Sequence, residues 1–246
     1  MTQKSERQKS ALITGAARRI GRAVALELAR GGWAVAIHYR NSSVDAEKLA
    51  EHIRSEGGRA EIFSADLKDL AAIDRLVADI GRSMGPLTAL INNASEFQPD
   101  SIETLDEATW DLHLDVNLKA PAFLSKAMAA QLPPDAEGNI VNIIDQRVWN
   151  LTPDFFSYTV SKAGLWATTR MLAQALAPRI RVNAIAPGPV LQSVHQTAQD
   201  FAHEAQSTLL GHGPTPEEIA GAVRFILATS SITGQMIVLD GGQHLT

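Results

Sequence analysis

The sequence predicts a single doubly wound α/β domain, a parallel sheet of about seven strands with helices on both faces. Three observations predict it. Short apolar runs recur from end to end, amphipathic stretches of ten to twenty residues separate them, and no linker, low-complexity tract or internal repeat divides the 246 residues. Parallel strands buried on both faces read as near-continuous apolar runs, and they need crossover connections, which helices supply. With 45% hydrophobic residues the chain can bury a full core.

The strands read in order as ALIT at 11–14, AVAIHY at 34–39, AEIFS at 60–64, ALIN at 89–92, IVNII at 140–144, RVNAIA at 181–186 and MIVL at 236–239. Helical patterns fill the intervals, notably 22–30, 106–128 and 157–177. The longest irregular stretch, 187–216, carries several Gly and Pro; it is a candidate lid, with a substrate loop around 188–213.

Composition narrows the function. A formal net charge of -5 and pI near 5.8 argue against nucleic acid as the main partner. The absence of cysteine removes disulfides, thiolate catalysis and cysteine-based zinc sites together, and it fits a reducing compartment. The seven histidines form no compact metal-ligand pattern, so no metal is expected, and His195 and His203 read as solvated residues of a loop and a helix start. The first ten residues, MTQKSERQKS, are polar, and no apolar run approaches bilayer length, so a cytoplasmic protein without membrane contact is expected.

The chemistry concentrates in DQRVWNLTPDFFSYTVSK at 145–162. On a helix Tyr158 and Lys162, four apart, share one face. An ammonium beside a phenol favours the phenolate and is expected to lower its pKa, which makes the pair a candidate general acid/base. Upstream, Thr14-Gly15-Ala16-Ala17-Arg18-Arg19-Ile20-Gly21 follows the first strand and opens a helix, where a dinucleotide-binding turn belongs. Small residues there let the backbone approach a pyrophosphate, and the helix N-terminus offers N–H groups and positive dipole. The second strand ends at His38-Tyr39-Arg40-Asn41-Ser42, with no acidic residue for a ribose 2′-hydroxyl. Arg40, with Ser42 beside it, suits a 2′-phosphate, so NADP(H) is expected over NAD(H).

With this turn, Asn92-Asn93-Ala94, Tyr158 with Lys162, and Pro187-Gly188 in order, the chain resembles the short-chain dehydrogenase/reductase family over essentially its whole length. The resemblance implies a Rossmann fold and a cofactor crevice. Gly15, Arg18, Arg19, Ile20 and Gly21 would form its floor, and Tyr39, Arg40, Asn41 and Ser42 its phosphate end. Asp66 and Leu67 would lie by the adenine, with Asn92, Asn93, Ala94 and Ser95 along the crevice. Pro187 and Gly188 would abut the nicotinamide amide. It also implies that Tyr158 is the proton donor, that Lys162 binds the nicotinamide ribose, and that Asn117 helps hold a proton-relay water.

Two positions depart from the usual family pattern. Asp145 stands where a serine thirteen residues before the tyrosine normally orients a carbonyl, and a carboxylate there would repel the developing oxyanion. Arg19 replaces a common glycine of the nucleotide turn. Both departures, and Ser95-Glu96-Phe97, resemble the pteridine reductase and dihydromonapterin reductase branch. That resemblance implies that Arg19 reaches the cofactor phosphates and the pterin, that Phe97 packs the pterin ring, and that Asp145 and Tyr158 serve proton transfer to a C=N bond. A flat heteroaromatic ring wants an aromatic face, and its nitrogens want a hydrogen-bonding carboxyl.

The expected function is therefore an NADPH-dependent reductase of a dihydropterin-like C=N bond. Two alternatives stay open: a short-chain carbonyl reductase, including the 3-oxoacyl-thioester type, and a non-catalytic NADP(H)-binding regulatory protein. Helical stretches 106–128 and 157–177, with the last strand, resemble the surfaces through which the family forms homotetramers.

Overall fold

The computed structural model describes residues 9–246; the polar segment 1–8 lies outside the described residues. The chain forms one seven-stranded, all-parallel sheet in the order β3-β2-β1-β4-β5-β6-β7. The strands are β1 (Ser10–Ile13), β2 (Ala34–Tyr39), β3 (Ala60–Ser64), β4 (Ala89–Asn92), β5 (Gly138–Ile143), β6 (Ile180–Pro187) and β7 (Met236–Leu239). The expected doubly wound class holds, and the strands fall within one or two residues of their expected positions. Because β1 and β4 are neighbours while chain order runs outward from both, the topology reverses between them, and such a reversal opens a crevice at the carboxyl ends of the strands.

The helices are α1 (Arg19–Arg30), α2 (Ser43–Ser55), α3 (Leu70–Met84), α4 (Glu107–Leu114), α5 (Ala120–Gln131), α6 (Phe156–Leu176), α7 (Ala198–Gln206) and α8 (Pro216–Ala228). Two apolar clusters cover the two sheet faces. One packs α1, α2 and α8 around Ile13, Ile37 and Ile91; the other packs α3 and α5 around Leu12, Leu90 and Ile140. Adjacent residues of β1 thus serve opposite faces, as strand geometry requires, and burying each Leu or Ile contributes roughly 1.5–3 kcal/mol.

The structure corrects two features of the sequence reading. The stretch 106–128 is not one regular helix: a π-helical turn, Asp115–Lys119, separates α4 from α5 and carries Asn117. Extra backbone in a π turn redirects one side chain without ending the helix. Likewise 187–216 is not irregular throughout, because α7 forms within it, started by a capping box between Thr197 and Asp200. His203 therefore sits inside α7 rather than at its start.

Candidate active site

Two sequence motifs that lie far apart are knitted together at the switch point. Thr14 Oγ1 accepts the backbone N–H of Asn93 and of Ala94, each at 2.9 Å. The Asn93 amide returns bonds to the carbonyls of Thr14 (2.8 Å) and Gly15 (3.2 Å). Closeness here explains a glycine: a Cβ on Gly21 would stand 2.5 Å from the Gly15 carbonyl oxygen and 2.7 Å from Asn93 Nδ2. No acidic side chain occupies the first turn of α1, so its positive end faces the crevice uncompensated. Beneath the site, Asn92 donates to Asn142 and Asn142 to Thr169, both at 2.8 Å, tying β4, β5 and α6 through buried amides.

The catalytic side is set by how α6 starts. Its N-cap, Phe155, has φ 54° and no side-chain cap. The role passes to Asp100, whose carboxylate accepts the Ser157 N–H at 3.1 Å and the Ser157 hydroxyl, while His113 Nδ1 sits 2.7 Å from that same hydroxyl. A carboxylate at a helix N-terminus satisfies orphan donors and the dipole together. The next residue is Tyr158.

Tyr158 donates to Asp145 Oδ2 at 2.8 Å, and Asp145 Oδ1 accepts the Arg147 N–H at 2.9 Å. Lys162 Nζ donates to the Ile143 carbonyl at 3.0 Å and lies 5.6 Å from the Tyr158 ring centre. Burial lowers the Lys162 pKa to about 8, and burial raises that of Asp145. The expectation that Tyr158 would be acidified is reversed. Its pKa is raised, chiefly by burial and further by the charge and hydrogen bond of Asp145. Tyr158 is protonated, and its hydroxyl donates to the half-buried Asp145 carboxyl group.

The aromatic wall contains more than the sequence indicated. Phe97 stacks on Phe155, with ring centres 4.4 Å apart and planes at 10°, and meets Tyr158 edge-on at 4.7 Å. Arg147 covers Phe155 at 4.9 Å. Phe155 went unrecognised because nothing in its spacing announces a left-handed residue; its position three before Tyr158 is the only local hint.

One cavity of about 580 Å³ is lined by every residue expected at the site except Asn92, which lies buried beneath it, and Asn117. Gly15, Arg18 to Gly21, the Tyr39–Ser42 turn, Asp66, Leu67, Asn93, Ala94, Ser95, Phe97, Asp145, Tyr158, Lys162, Pro187 and Gly188 all line it, as do His38, Arg147, Phe155, Phe201, Glu204 and Gln243. Asn117 stands behind it: its side chain accepts the Glu96 N–H (2.8 Å) and donates to the Glu96 carbonyl (2.9 Å) and Ser161 Oγ (3.1 Å). Three cations of the site have partners within the protein. Arg40 pairs with Glu96 at 2.7 Å; Arg18 meets Ser42 and, at 3.3 Å, Asp45; Arg19, at φ 55°, donates to the carbonyls of Leu191 (3.0 Å) and Gln192 (2.9 Å). His195, read as merely solvated, places Nε2 3.0 Å from the Phe97 carbonyl. Among the described residues no cluster could hold a metal ion, and no helix is long and apolar enough to cross a membrane.

The doubly wound sheet, the glycine turn at its switch point and the Tyr158–Lys162 face define a class, the nucleotide-dependent oxidoreductases of this fold. A family model described as enoyl-(acyl carrier protein) reductase matches residues 15–244. The 3-oxoacyl-(acyl-carrier-protein) reductase FabG of Staphylococcus aureus is 31% identical over 242 residues, covering 96% of this chain and 98% of that protein. FolM alternative dihydrofolate reductase 1 from Brucella suis, solved in complex with NADP, is 50% identical at a TM-score of 0.94, covering 97% of this chain and 96% of that one. A short-chain dehydrogenase/reductase from Serratia marcescens is 31% identical at a TM-score of 0.91, covering 96% and 98% of the two chains. The chain belongs to the short-chain dehydrogenase/reductase family of oxidoreductases.

Proposed function

We propose that this protein is an NADP(H)-dependent reductase that adds hydride and a proton across the C=N bond of a dihydropterin-like substrate. The observation that carries the reading is Asp145, half-buried and hydrogen-bonded to Tyr158 at 2.8 Å, in a cavity with Phe97 in its aromatic wall. The likeness to the Brucella FolM protein at 50% identity supports it.

The crevice fits a phosphorylated dinucleotide. Its turn is closed by glycine where a Cβ would collide, the α1 N-terminus is free of acidic side chains, and Arg18, Arg40 and Ser42 gather where β2 ends. Gly15, Ile20 and Gly21 would hold the pyrophosphate, the Arg40 end the 2′-phosphate, Lys162 the ribose, and Pro187 with Gly188 the nicotinamide. The bound cofactor supplies the hydride.

The chain's own part is the proton. As a C=N carbon takes hydride its nitrogen becomes a strong base, so a weakly acidic phenol suffices as donor. Tyr158 Oη gives its proton to that nitrogen, and Asp145 Oδ2, whose raised pKa increases its protonated fraction, stands next to Oη to replace it. Asp145 also offers the hydrogen-bonding carboxyl that a pterin's ring nitrogens and amino group require. The Phe97 ring gives the flat substrate an apolar face.

The relation to FabG supports a second reading, reduction of a 3-oxoacyl thioester. Asp145 weighs against it, since a carboxylate beside a forming alkoxide opposes the charge that such a site must stabilise. Purified protein mixed with NADPH and dihydrobiopterin or dihydromonapterin, with NADH and simple ketones alongside, tests the reading: turnover preferring NADPH and a pterin is expected. Asp145→Ser is expected to lose pterin reduction at least about 100-fold and to gain ketone reduction; an unchanged substrate profile would remove the role given to Asp145. A homotetramer completes the proposal, supported by the exposed Val160 and Met171 on α6 and Phe123 on α5, and sedimentation as a monomer would contradict it.

A further inference from the structure

The His38 side chain, 2% exposed, spends both ring nitrogens on backbone. Nδ1 accepts the Gly15 N–H at 3.1 Å, and Nε2 lies 3.1 Å from the Ala65 carbonyl oxygen. An amide can only donate and a carbonyl can only accept, so the ring must be the neutral form with its hydrogen on Nε2. The two partners belong to opposite walls of one crevice: Gly15 to the β1–α1 turn, Ala65 to the β3–α3 loop that continues into Asp66 and Leu67. A third bond, from Ala16 N–H to the His38 carbonyl at 2.9 Å, fastens the turn to the same strand residue.

Gly15 has φ +63°, a left-handed conformation open to glycine, and its N–H donates to His38 Nδ1. Without an acceptor there, a part-buried amide at the heart of the nucleotide turn would be unsatisfied, and a buried donor left unpaired is costly. An apolar residue, the usual occupant of so buried a strand position, offers none. Burial also holds the His38 pKa down to about 4, so the acceptor lone pair persists at ordinary pH.

We infer that His38 is a positioning residue for the dinucleotide, a neutral strut that fixes the Gly15 amide and the Ala65 carbonyl and so sets the gap between the two walls around the adenosine half of the crevice. The inference rests on the reading of that crevice as an NADP(H) site. It assigns His38 no contact with the reacting atoms.

Two conservative variants separate the strut from simple packing. His38→Asn keeps an acceptor where Nδ1 stands, and His38→Gln keeps a donor where Nε2 stands while losing the acceptor. In NADPH titrations followed by nucleotide fluorescence, His38→Asn is expected within about threefold of the parent Kd and His38→Gln about tenfold weaker, the size of one buried hydrogen bond. In the protein without nucleotide, hydrogen exchange at the Gly15 and Ala16 amides is expected to quicken in His38→Gln and not in His38→Asn, with the β4 amides unchanged in both. Parent-like affinity and parent-like exchange in both variants would overturn the strut. Failure of NADPH to bind the parent protein would instead overturn the cofactor reading, and the exchange rates would still decide whether His38 holds the turn.

Discussion

At one end of the crevice the structure is made by backbone: Thr14, Gly15, Asn93 and Ala94 exchange short bonds with one another's main chain, and the charged side chains around them, Arg18 and Arg40, stand largely in solvent. At the other end it is made by side chains: Tyr158 and Lys162 are buried and Asp145 half-buried, and the three are bonded to each other or to a nearby carbonyl and shifted in pKa. The difference suits what each end handles in the proposed function. A dinucleotide's phosphates keep their charge, so fixed N–H groups and exposed cations recognise them. Proton transfer needs groups whose protonation is finely balanced, and burial provides that balance.

Removing the phenol tests the comparison hardest. Tyr158→Phe keeps the ring against Phe97 but deletes the proton held at Asp145, and it is expected to lower kcat by roughly 10²–10⁴-fold. NADPH affinity should move by no more than about twofold, because the nucleotide end does not depend on that oxygen. A comparable loss of affinity in direct titration would show that the two ends are not separable.

Acid should attack the nucleotide end through its one buried titratable ring. His38 has a folded pKa of about 4 against 6.5 for the free side chain. Between these values the unfolded chain binds a proton that the folded one refuses, so stability is complete above about pH 6.5 and declines as pH falls toward 4, by about 3 kcal/mol in all. Urea unfolding of parent and His38→Asn at pH 7 and pH 4 measures it: the parent should lose about 3 kcal/mol more than the variant. Equal losses would mean that His38 is already free to take its second proton in the folded state.

A smaller effect is expected where the turn has no room. In Gly21→Ala the new methyl would meet the Gly15 carbonyl oxygen and Asn93 Nδ2 inside van der Waals distance. The turn must spread, at a cost of roughly 1–3 kcal/mol in thermal or denaturant unfolding. The catalytic end, anchored through Asp100 and the buried amides of Asn92 and Asn142, should keep its kcat under saturating NADPH.

These ends also differed in how well they could be read from the residues. The nucleotide turn and the Tyr158–Lys162 pair are local patterns, and so are apolar parallel strands; all were legible. What was not legible depends on partners distant in the chain. His38 has meaning only beside Gly15 and Ala65, 23 and 27 residues away, and Asp100 caps a helix 57 residues downstream. The pKa of Tyr158 has the opposite sign from the one its spacing implied, because a four-residue separation states proximity to a lysine but not burial or the side on which Asp145 lies. The π turn at Asn117 leaves the helical periodicity almost intact and so is silent in sequence. Helix α7 is different: Thr197 and Asp200 form a capping box that was visible and was masked by the Gly and Pro around it.

The mildest test concerns Arg40, the exposed cation on which the expectation of NADP(H) rested. Its guanidinium pairs with Glu96, yet both side chains are partly in solvent, and such pairs contribute at most about 1 kcal/mol. Arg40→Ala should therefore leave the melting temperature nearly unchanged. Its effect should appear only in selectivity, as roughly a tenfold loss of the preference for NADPH over NADH, the scale of one charge-assisted hydrogen bond to phosphate. Glu96→Gln sharpens the point from the other side. It frees Arg40 from its carboxylate without deleting it, so NADPH should bind slightly tighter and NADH no better. If instead both variants shifted the two cofactors equally, Arg40 would be serving the fold through Glu96, and the phosphate end would have to rest on Arg18 and Ser42.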